Sequence, residues 1–434
     1  MVEIRALMQI MPMMKCHFNK LLILFFVFSF QSRGIQLFIP MDDENQKQHL
    51  KGYGVAYLAL EKSIEVEWLL NYRGGSFMMP FTEELKLECR IRNVTYEVIS
   101  EEEASGIRES ISSPAVNQSI VKLQKPPKIA VYSPKGKQPW DDAVTLVLTY
   151  AEIPYDVVYD KEVLDDLLPK YDWLHLHHED FTGQYGRFYA AFRNAPWYIE
   201  QKREQEALAA ELGFDKVSEL KSAVAEKIRE FTIGGGFLFA MCSATDSYEI
   251  ALSALDIDIC EPMFDGDPAE PNYQNKLDYH RCNAFEDFTL KANPTEYEFS
   301  DIDVTQNRKI AEERDYFSLF EFSAKWDIVP TMLTQNHVRL VKGFMGQTTA
   351  FRKSLIKSDV LILGEFKAMG EARYIHGELG LGTWTYYGGH DPEDYQHRVG
   401  DPKTELELYP TSPGYRLILN NILFPAAKKK NQKT

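Results

Sequence analysis

Cysteine is scarce, five in 434 residues, and no Cys-x-x-Cys pair occurs, which excludes a disulfide-stapled scaffold and the commonest structural zinc sites. The sequence has no Gly-x-x-x-x-Gly-Lys-Ser/Thr phosphate loop and no Gly-x-Ser-x-Gly elbow. Basic charge is also short: Lys and Arg total 48 against 64 acids, a net charge of -16. That balance weighs against a general affinity for nucleic acid or anionic lipid. Long hydrophobic runs are missing too. The run at 21–30, LLILFFVFSF, is well short of the about 20 apolar residues that a stable membrane span requires.

What remains is an ordinary globular composition, 44% hydrophobic and 26% charged, long enough for two or three cores. The short apolar run follows Lys15 and Lys20 near the N-terminus and reads as an export signal over 1–34, with a mature start near Ile35 and a periplasmic destination. Removal of the signal takes Cys16 and leaves Cys89, Cys242, Cys260 and Cys282. An exported protein permits disulfides, and Cys260 with Cys282 would close a loop of modest length.

Periodicity then divides the chain. Strands at 36–40, 66–72 and 95–99 alternate with helices at 46–62 and 83–92, a β-α-β-α-β order that predicts a small parallel sheet over 35–124. The Ser-, Asn- and Pro-rich stretch 110–127 reads as the boundary. From 125 to 427 the alternation resumes, with strands at 128–132, 155–159, 172–177 and 234–241 and helices at 140–151, 195–231 and 246–255. Residues 260–308 carry few periodic signals and read as an irregular insertion. Strands are expected at 329–333, 337–343, 359–363 and 383–387, some of them as antiparallel additions, and 428–434 is a basic tail. The fold class is α/β.

Three passages carry the chemistry-bearing residues. In GGGFLFAMCSATD an apolar strand runs through Ala240 and Met241 to Cys242 and on to a helix. A nucleophile on a sharp strand-to-helix turn needs small neighbours two residues either side, which Ala240 and Ala244 supply, and the helix N-terminus favours a thiolate. In YYGGHDPED, His390 follows a strand and could serve as base, with Glu393 or Asp391 behind it. In HLHHED, His177, His178 and Glu179 end a strand where parallel sheets bind substrates, with His175 and His177 on one face. Against these stand plainer readings: a small buried thiol, a glycine turn capped by His and Asp, and packed histidines. A metal site among the histidines is a further alternative.

The passages FTIGGGFLFAMCSA, TWTYYGGHDPED and SPGYRLILNNILFPA together resemble the glutamine-amidotransferase-like superfamily and, within it, the trehalose-utilisation (ThuA-like) branch, in patches over 128–427. The resemblance implies a flavodoxin-like, parallel-sheet domain and a Cys-His-Glu site. Here the elbow has alanines in place of both family glycines, and the interval from His390 to Glu393 is one residue longer than the family's. The passage KGYGVAYLALEKSIEVEWLLNYRGGSFMMP is similar to exported bacterial proteins labelled asparagine synthetase B. Neither an N-terminal nucleophilic cysteine nor a Ser-Gly-Gly-x-Asp-Ser nucleotide loop, the marks of that synthetase, occurs in the chain. The expectation is therefore an exported amide hydrolase in which Cys242 attacks, His390 moves the proton and Glu393 orients it. His177, His178, Glu179 and Asp391 would line a pocket for a small-molecule or glycan substrate, with no cofactor and no metal. The alternative is a non-catalytic protein that binds a carbohydrate, peptide or partner in the same cleft.

Overall fold

Two sheets organise the computed structural model, which describes residues 34–134 and 142–427. Apart from Gly34, the expected export signal lies outside the described residues, as does the basic tail.

The smaller sheet is built from β1 (Ile35–Ile39), β2 (Val66–Leu70), β3 (Ser76–Pro80), β4 (Glu97–Ser100) and β5 (Ser119–Leu123), in the order β4-β1-β3-β2-β5. Every pairing is antiparallel, which corrects the expected parallel sheet. The cause is the turn after β2. Asn71, Arg73, Gly74 and Gly75 all adopt positive φ, and the chain reverses at once into SFMMP, a strand that the sequence reading passed over on its way to the next helix. A Cβ on Gly74 would stand 2.1 Å from the Met41 carbonyl oxygen, so only glycine closes this turn. Leu37, Ile39, Trp68 and Phe77 share one core, and Phe38, Leu69 and Met78 another, the period-two alternation of a sheet covered on both faces. Helix α1 (His49–Glu61) packs into the first, followed by α2 (Glu83–Ile91). Helix α3 (Glu101–Ser112) covers the second with Ala104 and Ile111. The segment read as a linker thus contains the end of α3 and all of β5.

In the larger sheet β6 (Ile129–Tyr132), β7 (Asp156–Val158), β8 (Trp173–Leu176) and β9 (Phe237–Met241) alternate with helices α4 (Ala143–Ala151), α5 (Asp160–Leu164), α6 (Tyr189–Phe192), α7 (Pro196–Glu211) and α8 (Val217–Ile233); α9 (Ala244–Ser253) and α10 (Pro262–Asp265) follow. Then come β10 (Tyr316–Leu319), α11 (Ile328–Leu333), β11 (Leu340–Lys342), β12 (Phe351–Arg352), β13 (Leu361–Phe366) and β14 (Glu371–Leu379), before β15 (Gly382–Tyr387) returns beside β9. The order is β11-β10-β13-β14-β15-β9-β8-β6-β7, with β12 paired to β14. Strands β15, β9, β8, β6 and β7 run parallel to one another, and the others are antiparallel. Residues 329–333, expected as a strand, lie in helix α11 instead. Pro330 falls in its first turn, where no backbone donor is lost, and the carbonyls of Asp327 and Pro330 accept from the N–H groups of Thr331 and Thr334.

Helices cover both faces of the parallel strands. The closing helix α12 (Pro413–Leu423) and α4 pack on one side together with α1 of the small sheet, while α5, α8 and α9 pack against one another on the other. Residues 260–308 hold only α10 and short 3-10 turns, yet Phe285, Phe288, Phe299 and Ile302 are fully buried. Cys260 and Cys282 are free thiols, donating to the carbonyls of Thr182 and Glu249.

Candidate functional site

The carboxyl ends of β6, β8, β9 and β15 meet at one place. β9 ends at Met241, and Cys242 turns the chain into α9 with a φ of 52°. A side chain rarely adopts this left-handed conformation unless its surroundings hold it there. Here Ala240 and Ala244, both fully buried, leave room for neighbouring backbone, and the Ala244 N–H donates to the His177 carbonyl at 2.8 Å. The sulfur accepts backbone N–H groups from Ser243, Gln347 and Thr348. Burial nevertheless dominates and pushes the thiol up to about 11, against the lowering effect of those three donors. Cys242 therefore rests as a neutral thiol within a ring of amide donors.

Two imidazoles stand beside it. One donor atom each of His177, Cys242 and His390 lie within 4.8 Å of one another, and all three residues are buried. His177 Nε2 and His390 Nδ1 are 3.0 Å apart, and His177 Nδ1 lies 3.3 Å from Asp142 Oδ2. That carboxylate also faces His175 Nε2 at 3.1 Å and caps α4 by accepting the N–H groups of Val144 and Thr145. Burial alone would raise Asp142; the two imidazoles outweigh it and hold the carboxyl well below its usual range. With its proton on Nδ1, the side facing Asp142, His177 accepts at Nε2 from His390 Nδ1–H, which leaves the other His390 nitrogen with a lone pair. Burial, with His177 and His178 nearby, holds His390 well below the ordinary imidazole range, so the ring is neutral.

The other expected residues fall at varying distances from this centre. Glu393 accepts a hydrogen bond from the Ser412 hydroxyl at the start of α12, and burial raises its pKa. Asp391 accepts from the Glu393 N–H and the Thr404 hydroxyl and so closes its own loop. The carboxylate behind the imidazoles is Asp142, which the sequence reading had left inside a helix. The His178 ring lies 5.0 Å from that of His177 and 5.8 Å from that of His390. Glu179 is buried and pushed up to about 7 by burial, with Asp160 and Asp180 acting in the same direction and Lys221 opposing them.

The segment 345–349 also escaped the sequence reading. Besides the two N–H groups on the sulfur, Thr348 Oγ1 donates to Asp246 Oδ1 at 2.9 Å. Thr349 Oγ1 meets Thr305 Oγ1, which donates to Asp303. Gly346 lies so close to the His390 loop that a Cβ would stand 2.7 Å from the His390 nitrogen. Its run Gly-Gln-Thr-Thr, placed between two weak strands, was the available signal.

No family model and no curated protein matches the chain. Solved structures that align with it include the cytoplasmic protein STM3548 from Salmonella typhimurium, 12% identical over 70% of this chain and 100% of that one, with a TM-score of 0.34. The cytoplasmic protein STM1381 from Salmonella typhimurium LT2 is 12% identical over 69% and 100%, with a TM-score of 0.33. Gan42B, a GH42 beta-galactosidase, is 12% identical over 71% of this chain and 31% of its own, with a TM-score of 0.26. Likenesses this slight carry no argument about activity.

Proposed function

We propose that this chain is an exported, amidotransferase-like protein acting as a cysteine-dependent hydrolase of amide bonds. The observation that carries the reading is the left-handed Cys242 at the end of β9, with His177 and His390 beside its sulfur. The parallel order β7-β6-β8-β9-β15 supports it, being the order of a flavodoxin-like sheet, 2-1-3-4-5 in chain sequence, whose ligands sit at the strands' carboxyl ends. In this reading His390 takes the thiol proton as the sulfur attacks the carbonyl carbon. The amide donors of Gln347 and Thr348 hold the developing oxyanion, and the proton passes to the departing amine. Water then attacks the thioester and restores the thiol. Asp142 orients His177, which orients His390, in the place the sequence reading gave to Glu393.

The test is the rate of iodoacetamide labelling at Cys242 at pH 7. His390→Ala should slow it by roughly 100-fold, the lower end of general-base effects, and Asp142→Asn by less. Labelling that is the same in all three proteins would leave a binding protein with a buried structural thiol. A second reading follows from the same three donor atoms: with Asp142 behind His177, a Cys-His-His set suits zinc. Cobalt added to chelator-treated protein would then give a sulfur-to-metal absorption band that Cys242→Ser abolishes.

A further inference from the structure

Next to the Cys242 centre lies a group of buried acids that the proposed chemistry does not use. Asp246 is fully buried in the first turn of α9, and Asp303 is 4% exposed. Asp246 Oδ1 accepts from Thr348, with the N–H groups of Asp246 and Ser247 also directed at that carboxylate, and Asp303 Oδ1 accepts from the N–H and hydroxyl of Thr305. The second oxygen of each has no hydrogen-bond partner among the described residues, and neither has the Ser243 hydroxyl. Leaving buried carboxylate oxygens unmet is costly, so two in one place mark a position that something else fills.

Hydrogen bonds tie the two carboxyls to one segment: Thr348 donates to Asp246, and the next residue, Thr349, meets the Thr305 hydroxyl beside Asp303. Burial raises both, Asp246 to about 7 and Asp303 well above the usual carboxylate range, with Asp246 acting on Asp303 in the same direction. The same Thr348 gives its N–H to the Cys242 sulfur. Arg187 lies within electrostatic reach of Asp246, but its N–H groups go to Gln184 and to the carbonyls of Lys291, Asn293 and Glu296. Tyr297, 42% exposed, has its phenol within electrostatic reach of both Cys242 and Asp303.

We infer that Asp246 and Asp303 form a subsite for an ammonium group, so that the site takes amides bearing a positively charged amine close to the scissile carbonyl. In calling that amine part of a substrate, the inference rests on the reading of Cys242 as the attacking group; the preference for cations does not.

Charge-tagged thiol reagents read that preference directly. The full chain is treated with 2-aminoethyl, methyl and 2-sulfonatoethyl methanethiosulfonate, and modification of Cys242 is followed by peptide mass mapping. In each case the thiolate attacks the reagent's sulfenyl sulfur, a disulfide forms and methanesulfinate leaves. Relative to a small free thiol, Cys242 should favour the cationic over the anionic reagent by a further factor of roughly tenfold to a thousandfold. Asp246→Asn and Asp303→Asn should each reduce that factor; because it is a ratio of cationic to anionic rates, a change in thiolate fraction, which the methyl reagent reads by itself, cancels from it. Tyr297→Ala, which removes a partly exposed ring near the thiol, should speed all three reagents and keep the preference. A preference equal to that of the free thiol, one that survives both substitutions, or a Cys242 that no reagent reaches even in Tyr297→Ala would overturn the subsite. A cation preference together with labelling indifferent to His390→Ala would keep the subsite and discard the hydrolase.

Discussion

Cys242 and His390 were legible as residues because each follows an apolar strand and stands among small neighbours, a local pattern that a single sequence displays. Their carboxylate partner was not. Glu393 is three residues from His390, but the loop turns it to Ser412, while Asp142 reaches His177 from a different strand end. Proximity along the chain is a poor guide where the parallel strands of a sheet bring their carboxyl ends together. The same holds for Asp246 and Asp303, which segment 345–349 links through Thr348 and Thr349. Gly346 is the residue on which that arrangement turns. Gly346→Ala should force the segment away from the His390 backbone, cost about 1 to 3 kcal/mol as overpacking does, and slow Cys242 labelling as His390→Ala does. Urea denaturation and the labelling rate would check the two effects separately.

Among the elements, the apolar parallel strands β6, β8 and β9 and the amphipathic helices were read close to their observed bounds, because burial on both faces leaves an uninterrupted hydrophobic signature. β14 was missed. Its sequence, EARYIHGEL, looks polar, but Arg373 is buried with its guanidinium donating to the carbonyls of Thr349 and Phe344, and Glu371 is paired with Arg308. A paired buried charge cannot be distinguished from an exposed one by composition. Helix α3 was hidden for the opposite reason, since only Ala104 and Ile111 are buried along its length. Its stability leans on its start, where Ser100 and Glu103 form a reciprocal capping box. Ser100→Ala should therefore cost about 1 kcal/mol, measurable as a shift in thermal midpoint, and should leave Cys242 labelling unchanged.

At the level of the whole molecule, three further imidazoles away from the Cys242 centre, His49, His337 and His376, are held uncharged and limit its acid tolerance. Burial lowers His49 to about 2, His337 to about 3 and His376 to about 4, with the Arg416 guanidinium adding to the first two. In each case the folded pKa lies below the unfolded value of 6.5, so the unfolded chain binds more protons once the pH drops below that point. Their contribution is complete above pH 6.5 and is lost progressively down to the folded values, on the order of 3 kcal/mol for His376 alone. Urea midpoints should fall between pH 7 and pH 4, and His376→Gln should flatten that fall.

Arg416 also ties the first sheet to the last helix, donating to the carbonyls of Met41 and Gly74, while the Tyr53 hydroxyl donates to Asn420 Oδ1. The Gln124 N–H reaches the Ala426 carbonyl on the same side. This has a consequence for synthesis. Residues 35–123 leave the ribosome early and α4 follows soon after, but α12, which completes the cover of α1, is translated some three hundred residues later, so the nascent sheet waits with part of an apolar flank uncovered. Closure of that flank is a late, long-range event in folding, and a holding chaperone would find its binding surface there in the interval.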